Sequence, residues 1–169
     1  TLVAEKSKAP PEYSVVVPVR NEVGNIAPLI AEIRAAMSAY GPYEIVYVDD
    51  GSDDETLNVL RHQAKDCPEL RIVRHGAPSG QSDAIITGVN TAKVRPIIAV
   101  GGDGRNDPAD IGKWRAAFED DPDPDLLLVA GLRTRRQDPW LKRVSSRVAN
   151  AVRAALLSDA TEDTGCGLK

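Results

Sequence analysis

Apolar residues crowd positions 13–19, where Val15, Val16, Val17 and Val19 follow with scarcely a polar break. Such a run reads as a strand covered on both faces. The period then changes. Ile26, Leu29, Ile30, Ile33 and Met37 fall on one face, which predicts a helix over 25–40. Pro28 is tolerated in its first turn, and Gly41-Pro42 stops it. A second strand is expected over 43–48, running directly into Asp49-Asp50-Gly51-Ser52. Ser52 and Glu55 have the spacing of a capping box, so a helix is expected from there to about Asp66. A short third strand follows at 70–73. A helix over 80–91 turns Ala84, Ile85, Gly88 and Val89 inward, and a fourth strand over 96–100 ends at Gly101-Gly102-Asp103-Gly104. Asp107-Pro108 is a cap followed by a first-turn proline, opening a helix with Ile111, Trp114 and Phe118 on its apolar side. A fifth strand at 126–130 and a last helix over about 139–157 complete the pattern.

Alternation of this kind predicts an α/β fold: a mostly parallel, Rossmann-like sheet with helices on both faces. The 169 residues suit one domain, expected over 12–169 behind a polar, disordered lead-in at 1–11. Aromatic residues are only 4%, so the core must be built from Val, Ile, Leu and Ala. The formal net charge of -4 argues against a nucleic-acid partner. Cys67 and Cys166 lie far apart and read as reduced thiols. The longest apolar runs are strand-sized, too short to span a bilayer, so any membrane association is expected through a surface contact or a missing segment.

In open parallel sheets ligands sit beyond the carboxyl ends of the strands. Arg20-Asn21-Glu22, Asp49-Asp50-Gly51-Ser52, Asp103 and Gly131-Leu132-Arg133 all follow strands. Carboxylates converging on one edge repel one another unless a cation sits among them, and oxygen ligands suit Mg²⁺ or Mn²⁺. Each acid also has a local reading. Asp50-Gly51-Ser52 makes a turn and a cap, Asp103 a glycine-rich turn, and Glu22 a first-turn complement to the helix dipole. Gly80-Gln81-Ser82 opens a helix and so offers an anion site. Arg133, Arg135, Arg136, Lys142, Arg143, Arg147 and Arg153 form a cationic stretch interrupted by a single acid, Asp138. In an acidic chain that stretch suits an anionic ligand, or else is a solvated helix face. His62 and His75 lack metal-ligand spacing and read as surface residues. Cys166 lacks a nearby histidine and is not read as a nucleophile.

The order of these motifs carries a resemblance. Val17-Pro18-Val19-Arg20-Asn21-Glu22, Val48-Asp49-Asp50-Gly51-Ser52, Gly80-Gln81-Ser82, Gly102-Asp103-Gly104 with Asn106-Asp107-Pro108, and the tail from Asp163 to Lys169 resemble family-two glycosyltransferases of the GT-A fold. Within that family the subgroup resembled is the bacterial dolichol- or polyprenyl-phosphate mannosyl- and glucosyltransferases. The resemblance implies an inverting transfer of a mannose- or glucose-type sugar from a GDP- or UDP-linked donor to a polyprenyl phosphate, at the cytoplasmic face of a membrane. It implies that Pro18 and Glu22 touch the nucleotide, and that Asp50, with Asp49 beside it, binds base or ribose. Gly80 and Gln81 belong to the same donor-binding set. Asp103 matches the second acid of the Asp-x-Asp metal motif and would share Mg²⁺ or Mn²⁺ with the diphosphate. Arg133 and Arg147 resemble the acceptor-phosphate arginines, Asn150 and Arg153 continue that pattern, and Asp163 resembles an acid near sugar and acceptor. The chain departs from the pattern twice: Gly101 replaces the first acid, and Arg105 stands where Gln is common. A non-catalytic nucleotide-sugar-binding module with a degenerate metal motif is therefore the alternative reading. Family members usually continue further, so a C-terminal truncation is expected.

Overall fold

The computed structural model describes residues 10–105 and 107–120. Their elements follow the predicted alternation. They are β1 (Tyr13–Val19), α1 (Val23–Met37), β2 (Tyr43–Asp49), α2 (Thr56–Gln63), β3 (Leu70–Arg74), α3 (Gln81–Thr91), β4 (Ile97–Ala99), a 3₁₀ turn (Pro108–Asp110) and α4 (Ile111–Glu119). The expected fifth strand and last helix lie outside the described residues.

The four strands form one sheet in the order β3-β2-β1-β4. Every pairing is parallel, with Val15 opposite Ile45 and Ile98, and Ile45 opposite Leu70. Strand side chains alternate between the faces. Val15, Val17, Val19, Ile45 and Tyr47 pack into one large core with Ile26, Leu29, Ile30, Ile33 and Met37 of α1, Leu57 and Leu60 of α2, and Ile111 of α4. Val16, Val46 and Val48 meet Ala84 of α3 on the other face. Helices thus cover both faces. Gly88 lets α3 lie close to the sheet: a Cβ there would fall 2.3 Å from Val16 Cγ1.

The opposite end of the sheet is closed by a buried ion pair. Glu44 receives Arg71 Nη1 at 2.5 Å, the Ser14 hydroxyl at 2.7 Å and the Lys93 amide at 2.6 Å. Desolvating this pair is costly, and the extra donors offset the cost.

Local details differ from the sequence reading. α1 begins at Val23 and ends at Met37, earlier than predicted at both ends, and α2 starts only at Thr56. Ser52 does not cap α2. Glu55 occupies the N-cap position without a side-chain cap, while the Ser52 hydroxyl accepts the Asn21 amide at 3.0 Å. A long-range partner has taken the oxygen that the capping box would use. Phe118, expected on the apolar face of α4, is exposed, whereas Ile111 is buried and Trp114 packs against the core.

Candidate functional site

The strand order reverses between β1 and β4, because the chain builds outward through β2 and β3 before returning to the far side of β1. That reversal is the switch point where an open α/β sheet opens a crevice. The loops after β1 and β4 meet there. Gly102 sits so tightly under β1 that a Cβ would fall 2.2 Å from Val19 Cγ1 and 2.5 Å from the Pro18 carbonyl. Pro18 itself is buried. Asp103 emerges beyond this contact, exposed, and its carbonyl receives Asn25 Nδ2 at 3.4 Å. Glu22 lies at the start of α1, with Oε2 accepting Asn25 Nδ2 at 2.5 Å and its amide donating to Thr56 Oγ1 at 2.9 Å.

The β1 and β2 loops are stitched together. Asn21 takes a left-handed backbone (φ 56), which asparagine tolerates better than most residues. Its side chain donates to Asp53 Oδ1 at 2.7 Å and accepts the Asp53 amide at 3.1 Å.

Asp49 and Asp50 are neighbours in sequence, yet the strand alternation gives them different surroundings. Asp49 is fully buried and accepts the Ser52 amide on Oδ1 at 3.0 Å. Among the described residues its Oδ2 accepts no hydrogen bond, and it lies 3.5 Å from Arg74 Nε. Asp50 is 4% exposed and faces the loop that enters α3. Its Oδ1 accepts the Ser79 amide at 2.9 Å, the Ser79 hydroxyl at 2.8 Å and His75 Nδ1 at 2.7 Å, while Oδ2 accepts the Gly80 amide at 2.8 Å. Desolvation works to raise the Asp50 pKa, but the bonds from Ser79, His75 and Gly80 outweigh it and hold the carboxyl well below the usual carboxylate range.

His75 is therefore no surface residue. Besides Asp50, it reaches Thr87 Oγ1 through Nε2 at 2.9 Å. The proton on Nδ1, with the Thr87 hydroxyl donating to Nε2, satisfies the network. The anion expected at the Gly80-Gln81 helix start is met, at the Gly80 amide, by the chain's own Asp50. No local pattern pointed to His75, Ser79 or Thr87. The one available signal was the position of His75 directly after β3. His62 is exposed, as read.

The acids do not converge as the sequence reading expected. Among the described residues no group of three or more His, Cys, Asp or Glu side chains is arranged to hold a metal ion. Asp50 is satisfied by protein donors, Asp49 accepts the Ser52 amide and lies beside Arg74, and Asp103 stands apart with Arg105 for company. Asp103 still fits an ion that it would share with a ligand, since Mg²⁺ can be held by a single carboxylate, substrate phosphates and water. Arg133, Arg147 and Asp163 lie outside the described residues, as do Asn150 and Arg153. Cys67 is free and buried. Burial and the neighbouring Glu69 push its thiol up to about 11, as befits an inert thiol.

Comparison with known proteins agrees with this architecture. The family model described as Glycosyl transferase family 2 matches residues 14–161. The dodecaprenyl-phosphate galacturonate synthase of Rhizobium johnstonii is 36% identical over 161 residues, covering 94% of this chain and 47% of that protein. The undecaprenyl-phosphate 4-deoxy-4-formamido-L-arabinose transferase of Edwardsiella ictaluri is 35% identical, covering 92% of this chain and 47% of its own length. The chain thus spans about half the length of these curated relatives. Among solved structures, the mannosyltransferase PcManGT of Pyrobaculum calidifontis, in complex with GDP-Man and Mn²⁺, superposes with a TM-score of 0.51 at 26% identity, over 71% of this chain and 35% of that one. S. aureus TarS in complex with UDP-GlcNAc gives 0.53 at 25% identity, over 76% and 37%. A parallel GT-A-type sheet, its switch-point acid and a family match across nearly the whole chain lead to one conclusion: this chain belongs to glycosyl transferase family 2.

Proposed function

We propose that residues 12–169 form the donor-binding domain of an inverting glycosyltransferase that moves a sugar from a nucleoside diphosphate to a polyprenyl phosphate. The observation that carries this reading is the Asp103 turn, seated on β1 at the switch point by the side-chain-free Gly102. The names of the Rhizobium and Edwardsiella relatives, both polyprenyl-phosphate sugar transferases, support the acceptor class. The nucleotide would lie along the β1 and β2 ends, near Glu22 and the framework built by Asp49, Asp50, Gly80 and Gln81. The diphosphate would lie near Asp103. A Mg²⁺ or Mn²⁺ ion shared between Asp103 and the diphosphate would neutralise charge on the leaving group.

An acceptor phosphate is already ionised at neutral pH, so its oxygen attacks the anomeric carbon without a general base. The bond to the diphosphate oxygen breaks as the new one forms, which inverts the configuration. Arg133 and Arg147 would hold the acceptor phosphate through their guanidinium forks, with Asp163 near the sugar. Positioning and electrostatics supply the acceleration. With a lipid-phosphate acceptor and a nucleotide-linked donor, the cytoplasmic face of a membrane is the proposed place of reaction. No helix among the described residues is long and apolar enough to cross one.

The sugar is proposed as mannose or glucose type, and the relatives' names add galacturonate and a formamido-arabinose to the sugars worth testing. Calorimetric titration with GDP-mannose, UDP-glucose and UDP-galacturonate, with Mn²⁺ present, tests the donor class. Transfer to undecaprenyl phosphate, for wild type and Arg147→Ala, tests the acceptor. Binding without transfer by the whole protein would favour a non-catalytic module, the reading that the Gly101 replacement supports. Transfer unaffected by Arg147→Ala would refute the acceptor assignment.

A further inference from the structure

His75 directly follows β3 and is fixed at three points. Its amide donates to the Asp49 carbonyl at 2.9 Å. Ring Nδ1 donates to Asp50 Oδ1 at 2.7 Å and also lies 2.7 Å from Ser79 Oγ. Ring Nε2 accepts the Thr87 hydroxyl at 2.9 Å. The ring thereby ties the end of β2 to the middle of α3. Its side chain is 16% exposed, so these bonds form largely out of water, where they are stronger. The bonds on Asp50 are uneven. Among the described residues Oδ1 accepts three donors and Oδ2 only one, the Gly80 amide. Oδ1 is therefore saturated, while Oδ2 keeps an acceptor position free. The carboxyl stays ionised, because its hydrogen bonds outweigh desolvation, so that position can only accept. It lies at the carboxyl edge of the sheet, where ligands bind. The loop below it has no room to shift: a Cβ on Gly51 (φ 65) would fall 2.7 Å from Pro78 N.

Resting on the donor reading above, we propose that His75, braced by Thr87, is a positioning residue that sets the Asp50 carboxylate so that Oδ2 presents its free acceptor position to a hydrogen-bond donor of the bound nucleoside. His75 touches no ligand and acts through Asp50 alone. Ser79 and Gly80 reach the carboxylate from the loop that enters α3. His75 reaches it from β3 and takes its own bearing from Thr87, so the carboxylate is held from two directions. Removing the ring leaves Asp50 its loop donors and its charge, but frees the side chain to turn. Binding must then order it again, which lowers affinity without removing any ligand contact.

The test is calorimetric titration of the full chain with UDP and with GDP, in Mn²⁺, each protein first shown to be folded by circular dichroism. The proteins are wild type, His75→Ala, His75→Asn, Thr87→Val, Asp50→Asn and the double variant of His75→Ala with Asp50→Asn. His75→Ala should weaken binding of the nucleotide that wild type prefers about tenfold, the scale of one hydrogen bond to a charged group. His75→Asn should stay within about threefold of wild type, because its amide nitrogen can take the place of Nδ1. Thr87→Val, which reaches Asp50 only through the ring, should weaken binding about threefold. Asp50→Asn puts an amide nitrogen where Oδ2 stood, so His75 has nothing left to position. The double variant should then bind no worse than Asp50→Asn alone, the signature of two residues acting as one. Should His75→Ala not fold, Thr87→Val takes its place in the same cycle. Unchanged affinity in folded His75→Ala or Thr87→Val, no rescue by His75→Asn, or losses that add in the double variant would each overturn the proposal and leave the donor reading standing. Absence of nucleotide binding by every protein, wild type included, overturns both.

Discussion

Replacing Asp50 by asparagine should destabilise the fold and remove part of its acid sensitivity. The carboxylate accepts from Ser79 N, Ser79 Oγ, His75 Nδ1 and Gly80 N. An asparagine has one acceptor oxygen. In its better orientation that oxygen keeps the Ser79 and His75 donors, but the amide NH₂ then faces the Gly80 N–H, donor against donor. Three bonds drop from charged to neutral strength, about 0.5–1 kcal/mol each, and one amide goes unsatisfied at about 1–3 kcal/mol. Water reaching the exposed side of the loop recovers part of this, leaving an expected loss of about 3 kcal/mol at pH 7. The acid dependence follows from linkage. The folded carboxyl titrates well below its unfolded value of about 3.9, so its stabilisation is complete above that value and fades as pH falls toward the folded pKa. Urea unfolding of wild type and Asp50→Asn between pH 7 and pH 3 measures both effects. The stability gap should be constant down to about pH 5 and should narrow below about pH 4. A gap under about 1 kcal/mol at pH 7, or one that does not narrow in acid, would refute the account of this network.

Two further outcomes follow from buried groups elsewhere. Glu44→Ala leaves the Arg71 guanidinium, the Ser14 hydroxyl and the Lys93 amide without their shared acceptor, and should cost about 3–5 kcal/mol in urea unfolding. A cost near zero would mean that water replaces the carboxylate. In a Cys166→Ser background, Cys67 should resist a thiol reagent at pH 8 until urea unfolds the chain, because it is 2% exposed and its thiol is pushed up to about 11. Labelling of the folded chain at the rate of a free thiol would contradict its burial.

The elements themselves were legible along the chain. Apolar runs and three-four spacing located β1 at Tyr13–Val19 and the buried face of α1, because strand and helix periods are local properties of neighbouring residues. The parallel sheet followed from the alternation, and the resemblance followed from the order of the motifs. Boundaries were less legible: Ser52 had capping spacing, but its hydroxyl was claimed by Asn21, thirty-one residues away. The site itself was decided by contacts at such distances. Asp49 and Asp50 look equivalent in a string, yet one is tied to Ser52 and Arg74, and the other to the entry of α3. His75 has no local signature, and only the return of its loop against Gly51 brings it to Asp50, twenty-five residues earlier. The acids expected to share a cation were separated in the same way: Asp50 is bound by the entry of α3, Asp49 lies beside Ser52 and Arg74, and Asp103 lies beside Arg105. Periodicity therefore determined which elements form and in what order. Which donor meets which acceptor was left to tertiary packing, because a hydrogen bond depends on where two groups lie in space and hardly at all on their spacing along the chain.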